Sequence, residues 1–197
     1  MLAYVFWHWK QPAVAVAEYE DAQRGFHAAL AAEPPPGFHR SVSVALSGAP
    51  WAGAGGAAYE DWYLLDGMAA LEPLNQAAVT ASRRGPHDSA AALAAGGTAG
   101  LYALRAGTAT EAPAHAAWFA KPNGMSYAAL DGLLAPVVAA TGAGLWMRQM
   151  VLGPTPEFCL WSSGVVALPA GLAALRFGVR VVWPGAAEDG HARHRPA

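Results

Sequence analysis

The stretch Tyr4-Val-Phe-Trp-His-Trp9, running into Lys10-Gln-Pro12 and then a segment that carries Tyr19, decides how this chain is read. It is an aromatic strand followed by a helix start, and the second half says it again. There, Ala117-Trp-Phe-Ala120 runs into Lys121-Pro122 and a segment carrying Tyr127. Farther on, Glu60-Asp-Trp-Tyr-Leu-Leu-Asp-Gly67 with Ala70-Leu71 is echoed by Glu157-Phe-Cys-Leu-Trp-Ser-Ser-Gly164 with Ala167-Leu168. Each half closes on a strand after a glycine: Gly100-Leu-Tyr-Ala-Leu-Arg-Ala-Gly107 and Gly178-Val-Arg-Val-Val-Trp-Pro-Gly185. Self-similarity at such a spacing is a signal about the whole fold and is weighed before any local motif.

Working outward, residues 3–9 alternate as a buried strand and Pro12 opens a helix, with Val14, Ala17, Tyr19, Ala22, Phe26 and Leu30 at helical spacing. Pro34-Pro-Pro36 and Gly37 stop that helix. Residues 39–46 alternate as a second strand, 48–58 form a Gly/Ala-rich connection, and 59–65 a third strand. A helix over 68–79 and a strand over 101–106 complete the first half. The second half predicts strands at 116–120, 145–152, 157–161 and 177–183, with helices at 125–139 and 165–174. The order in each half is strand, helix, strand, strand, helix, strand. The expected units are therefore 1–107 and 115–185, linked by 108–114, with a disordered tail at 186–197. The first unit carries an insertion at about 75–98, in which Pro86-His-Asp-Ser89 reads as a helix start.

Composition limits the function classes. The chain has 197 residues, 54% of them apolar and 13% charged, and folding should bury roughly 70% of the surface that the unfolded chain exposes. Such scarce polar surface favours covering a large apolar patch with a second copy, so a homodimer is expected. A net charge of −2 without a basic cluster argues against nucleic acid. The single cysteine, Cys159, excludes an internal disulfide and suits a cytoplasmic location. The N-terminus lacks a positively charged n-region and goes straight into a strand, so no signal peptide is expected. The uncharged run from 158 to 175 is nearly long enough to span a bilayer, but Ser162-Ser-Gly164 and Pro169 interrupt it, so no membrane span is expected.

Two tandem ferredoxin-like βαββαβ units resemble the dimeric α/β-barrel superfamily in a single-chain, duplicated form. The resemblance implies an α+β fold in which two antiparallel sheets pack face to face as a barrel with helices outside. It also implies a range of activities: cofactor-free oxygenases, isomerase-like enzymes and haem proteins all occur on this frame, so the fold alone selects no chemistry. Physics asks for the same pairing, because a sheet with helices on one face must cover the other.

Polar residues on strands are then the informative ones. If Val5, Trp7 and Trp9 pack under the helices, Tyr4, Phe6, His8 and Lys10 point into the barrel. His8 is the candidate acid, base or ligand, the other reading being a structural imidazole bonded to a neighbour. His39, Ser41 and Ser43 share one face of the second strand; His39 lines the cavity mouth or stands exposed after the proline turn. Tyr63, Arg105 and, from the insertion, His87 complete the candidate ligand contacts. Arg148 and Arg180, in apolar strands, call for an acidic partner or rim exposure. Position 8 is matched by Phe119 and position 39 by Leu145, so polar groups concentrate in the first half.

No metal-spaced Cys/His set, P-loop or nucleophile elbow occurs in the sequence. No cofactor is expected, with haem on a histidine as the alternative enzyme reading. The leading expectation is a small apolar or aromatic ligand held, with or without transformation, in a first-half cavity; a barrel packed solid in a non-enzymatic module is the third reading.

Overall fold

The computed structural model describes residues 1–51, 57–111, 113–150 and 153–184. The described strands are β1 (Leu2–Lys10), β2 (Phe38–Ser47), β3 (Ala57–Leu65), β4 (Ala94–Ala106), β5 (His115–Phe119), β6 (Gly144–Gln149), β7 (Phe158–Ser162), β8 (Ala174–Gly178) and β9 (Arg180–Trp183). The α-helices are α1 (Val16–Ala32), α2 (Leu71–Ala78), α3 (Ala81–Leu93) and α4 (Tyr127–Thr141). The result is an α+β protein built on one nine-stranded antiparallel sheet, in the order β8-β5-β7-β6-β4-β1-β3-β2-β9.

Within that order, β4-β1-β3-β2 and β8-β5-β7-β6 place each half's fourth, first, third and second strands side by side. The halves are joined edge to edge by β4 pairing with β6, from Leu101↔Gln149 to Ala106↔Leu145. At the other seam β9 pairs with β2 while β8 pairs with β5, and only Val179 separates β8 from β9. The sheet therefore returns on itself through the β8–β9 run.

The inside of this ring is aromatic. Trp7, Trp62, Trp118, Trp146 and Trp161 are fully buried in one cluster that draws on both halves, with Val5, Val42, Val44 and Tyr102. The indoles of Trp62 and Trp161 lie with centroids 4.2 Å apart. On the other face of β1, Tyr4 and Phe6 pack with Phe26 and Leu30 of α1, Leu74 of α2 and Ala90 of α3. This inverts the expected phase: Trp7 points into the ring, while Tyr4, Phe6 and His8 point toward the helices. Alternation separates two sets of side chains without saying which lies inside. Bulk decides it, since the ring takes the indoles, and Gly100 lets the Trp7 ring lie against β4 (a Cβ there would meet Cη2 at 3.1 Å).

Three other elements differ from their sequence reading. Residues 165–173 form a loop, not a helix: Pro169 removes a donor and Gly171 sits at φ +90°, a left-handed turn. Val166 and Leu172 from that loop still bury against Phe119 and Leu160. Helix α1 begins at Val16, after Pro12 rather than with it. Helix α3 begins at Ala81 and contains Pro86, where Pro86 was read as its start. The α4 boundaries follow ordinary capping: the Ser126 side chain accepts from Ala129 N at 3.1 Å, and Gly142 ends the helix at φ +64°. The expected tail at 186–197 lies outside the described residues.

Candidate functional site

A cavity of about 600 Å³ lies between the helix-facing side of the first-half sheet and α1, α2 and α3. That volume is within the usual range for a small-molecule site. Tyr4 and Phe6 of β1, Asp61 and Tyr63 of β3, Tyr19 and Phe26 of α1, and His87 and Ala90 of α3 are on its wall. The geometry follows from periodicity. On β3, Tyr59, Asp61 and Tyr63 share one face, and on α1, Tyr19, Gln23, Phe26, His27 and Leu30 fall on one buried stripe. The insertion supplies a wall of small residues, Ala90, Ala91, Ala94 and Ala95, that leaves room beneath it.

Glycine sets the floor. A Cβ at Gly97 would lie 2.6 Å from Phe6 Cε2 and 3.0 Å from the Trp7 carbonyl oxygen, so only glycine lets the Phe6 ring cross β4.

Asp61 organises the polar end. Its Oδ2 lies 3.1 Å from His8 Nε2 and 3.2 Å from His27 Nε2, both at ion-pair distance in bent geometry. The Tyr63 hydroxyl donates to the same oxygen at 3.2 Å. Behind the imidazoles, His8 Nδ1 meets the Tyr19 hydroxyl at 2.6 Å and His27 Nδ1 meets Ser41 Oγ at 2.7 Å. All six groups are buried, and His8, His27 and Tyr19 are wholly so. Burial resists the charge on Asp61, yet the two facing imidazoles outweigh it and hold the carboxyl well below the usual aspartate range. Burial, and then the nearby Asp61, push the Tyr63 and Tyr19 hydroxyls up, so both stay protonated donors. Either atom can supply the proton in the two Nδ1–hydroxyl contacts, since the roles there follow the tautomer of each ring. Asp61 Oδ1, in contrast, is buried without a hydrogen-bond partner among the described residues.

The expected site residues divide. Tyr4, Phe6, Tyr63 and His87 line the cavity. His8 stands one group behind it, reaching the ligand space through Asp61 and Tyr19. Ser41 supports His27, and Ser43, opposite Asp61 in the β2–β3 register, is buried without a partner for its hydroxyl among the described residues. His39 is exposed and pairs with Asp66 at 2.7 Å, away from the cavity. Arg105 also lies elsewhere: its guanidinium holds Asp131 of α4 through two 2.6 Å hydrogen bonds. Of the strand arginines, Arg180 pairs with Glu20 of α1, and Arg148 donates to the Thr155 carbonyl at 2.7 Å. On the helix side of the second half, Phe119, Leu130, Leu134 and Leu145 pack as one apolar cluster.

Asp61, His27, Gln23 and Tyr19 were missed as site residues. Two adjacent carboxylates inside an aromatic strand were a usable signal, since one must face each side. Glu60 is the other. It lies inside the ring, accepting from Trp7 Nε1 at 3.1 Å and Trp62 Nε1 at 3.2 Å, and burial pushes its carboxyl up to about 7. Cys159 is buried nearby, and burial, with Glu60 adding, pushes its thiol well up.

No described helix is long and apolar enough to cross a membrane. No group of three or more His, Cys, Asp or Glu side chains among the described residues is arranged to hold a metal ion. No family model matches the chain, and no curated protein sequence matches it. In structure it is similar to a candidate monooxygenase of Fusobacterium nucleatum, with a TM-score of 0.61 over 92% of each chain and 8% sequence identity. At that identity the likeness speaks for a shared fold.

Proposed function

We propose that this protein is an oxygenase- or isomerase-like enzyme, working without an added cofactor on a small apolar or aromatic molecule in the first-half cavity. One observation carries the reading: an ionised aspartate, backed by two imidazoles, belongs to the wall of a cavity lined mainly by aromatic and small apolar side chains. In this scheme Asp61 touches the ligand and accepts its proton, while His8 and His27 spread and position the charge. Tyr63 and Tyr4 orient the ligand, and His87 borders it from α3. Proton withdrawal from an activated C–H or ring O–H starts both isomerisation and reaction with dioxygen. The candidate monooxygenase with a similar fold supports placing the second outcome first.

We further infer that the halves are tandem ferredoxin-like units closing as an α/β-barrel, one of which kept its pocket. The repeated strand order and the apolar packing on the helix side of the second half support this. The haem alternative has less support, because both ring nitrogens of His8 are engaged by Tyr19 and Asp61. A packed ring core agrees with the non-enzymatic alternative, but the cavity outside it does not. Homodimerisation and a cytoplasmic location remain part of the proposal, on the low charge and the single buried thiol.

The test is a panel of small aromatic compounds followed by oxygen uptake and mass spectrometry, with native protein and Ala91→Phe. Product formed by the native protein and abolished in the cavity-filling variant is the expected result. Turnover that ignores a phenylalanine at position 91 overturns the site.

A further inference from the structure

Helix α3 belongs to the half that holds the cavity and has no counterpart among the described helices of the other half, where β7 runs to β8 through a loop. It roofs the ligand space with His87, Ala90 and Ala91. It buries little: of its 13 residues Ala90 alone is buried, whereas α1 buries a stripe from Tyr19 to Leu30. Midway along, the His87 ring meets Phe26 edge-on, with centroids 5.5 Å apart. Inside the helix, Pro86 lacks the N–H that would reach the Ser82 carbonyl, Gly85 precedes it, and Ser89 Oγ donates to the Gly85 carbonyl at 3.0 Å. At the start, Thr80 donates its hydroxyl back to the Gln76 carbonyl at 2.9 Å and leaves the first turn uncapped. Ala81 sits at φ +49°, a left-handed value that strains a residue with a Cβ. A helix this short and so interrupted is marginal on its own in water, so leaving α1 and unravelling are one event.

The two ends of α3 are held differently. The inner end is fixed to the sheet: Gln11 N and Nε2 donate to the Leu93 and Ala92 carbonyls at 2.9 and 2.7 Å, and Ala94 pairs with Lys10. The outer end hangs on Arg83. Its Nε donates to the Ala77 carbonyl in α2 at 2.8 Å, and its Nη1 to the Glu33 carbonyl, just past α1, at 2.5 Å. Ser82 Oγ adds a bond to the Glu33 carboxylate at 2.9 Å. We propose that α3 is a gate: it undocks from α1 as one unit, between a fixed sheet end and an Arg83 latch, and so opens and closes the first-half cavity. Segments of low local stability are where such gates are found. The proposal rests on the small-molecule reading of the cavity and adds how that space is entered.

The experiment uses no ligand, so its failure is distinct from a failure of the compound panel. Hydrogen exchange of the full chain at pH 7 should show the amides of residues 88–93 exchanging about a hundredfold faster than those of residues 23–30 in α1, with one common protection factor. Protection equal to that of α1 overturns the gate. So does protection that rises stepwise toward Leu93, the mark of fraying. The second readout is iodoacetamide labelling of Ala90→Cys, in which the native thiol, Cys159, is wholly buried and stays silent. Adding Arg83→Ala should raise both the labelling rate and the exchange of α3 about tenfold. Arg84→Ala, whose guanidinium pairs with Asp88 of the same helix at 3.6 Å, should change neither. Labelling that responds equally to both substitutions, or to neither, overturns the latch and with it the gate. If Arg83→Ala fails to fold by circular dichroism, Arg83→Lys, which keeps the charge and loses the planar fork, takes its place under the same criteria.

Discussion

Glu60 and Asp61 are consecutive on β3, yet their carboxyl groups lie on opposite faces of the sheet and burial treats them in opposite ways. Glu60 sits among indoles whose N–H groups are weak compensation, and its carboxyl rises to about 7. Asp61 sits among imidazoles and a tyrosine hydroxyl, and its carboxyl falls. Both results follow from the partner chemistry available on each side.

The first prediction concerns Glu60. A carboxyl raised in the folded state binds its proton more tightly there than in the unfolded chain. Its contribution to stability is therefore present below pH 4.5 and is lost as pH rises toward 7. The loss amounts to about 3 kcal/mol, at 1.36 kcal/mol per unit. Urea denaturation at pH 5 and pH 8 should show this slope, and Glu60→Gln should flatten it. Tryptophan emission should titrate in parallel with a midpoint near 7, because Trp7 and Trp62 donate to this group.

Asp61 has the reverse sign. Its carboxyl is lowered in the folded protein, so its stabilisation is present above the unfolded value of about 4 and disappears as pH falls below it. Asp61→Asn should cost about 2 kcal/mol at neutral pH through lost charge-assisted contacts. The variant should also lose stability less steeply between pH 4 and pH 2 than the native protein does.

His8 acts through Asp61 and Tyr19 and does not line the cavity. His8→Ala should lower kcat about a hundredfold or more on the compound found by the panel, with KM changed little. It should also displace the pH profile of turnover, which loss of packing alone would not do. Intact turnover and an unmoved profile in folded His8→Ala would remove the histidines from the mechanism.

Gly97 is where backbone and cavity meet. Gly97→Ala forces Phe6 off its position, at a cost of about 1–3 kcal/mol by overpacking. The expected outcome is a lower Tm together with weaker ligand binding. Gly132→Ala, in α4, where nothing lies within 4 Å, should leave ligand binding as it is.

Arg105→Ala should leave ligand binding and turnover unchanged. Its bond to Asp131 is partly solvated on both sides, 26% and 42% exposed, and such pairs contribute about 1 kcal/mol or less. A loss of turnover in this variant would reopen the strand-arginine reading.

The repeat in the sequence carried the strand order, because each echoed segment is a strand or a strand-to-helix junction with its own punctuation. The fate of residues 165–174 was less legible: apolar residues at helical spacing were present, but Pro169 and Gly171 outweighed them. The phase of β1 was not legible at all, since both sets of side chains are aromatic. That is why His8 was recognised and its surroundings misread. Tyr4, Phe6, Tyr63 and His87 reach the cavity despite the inverted phase, because the pocket lies on the helix side of the sheet, where that phase sends them. His27 hid among helical core positions, and its role depends on Asp61, which no local pattern ties to it.

The hand-off at Val179 has a consequence of its own. The chain passes from β8, beside β5, to β9, beside β2, with a single residue between the two strands. Neither repeat can be pulled away without baring a backbone edge on the other, and bared edges invite wrong partners. Two halves of a sheet linked in this way should melt in one cooperative step, like a hoop that fails as a whole once its clasp is opened.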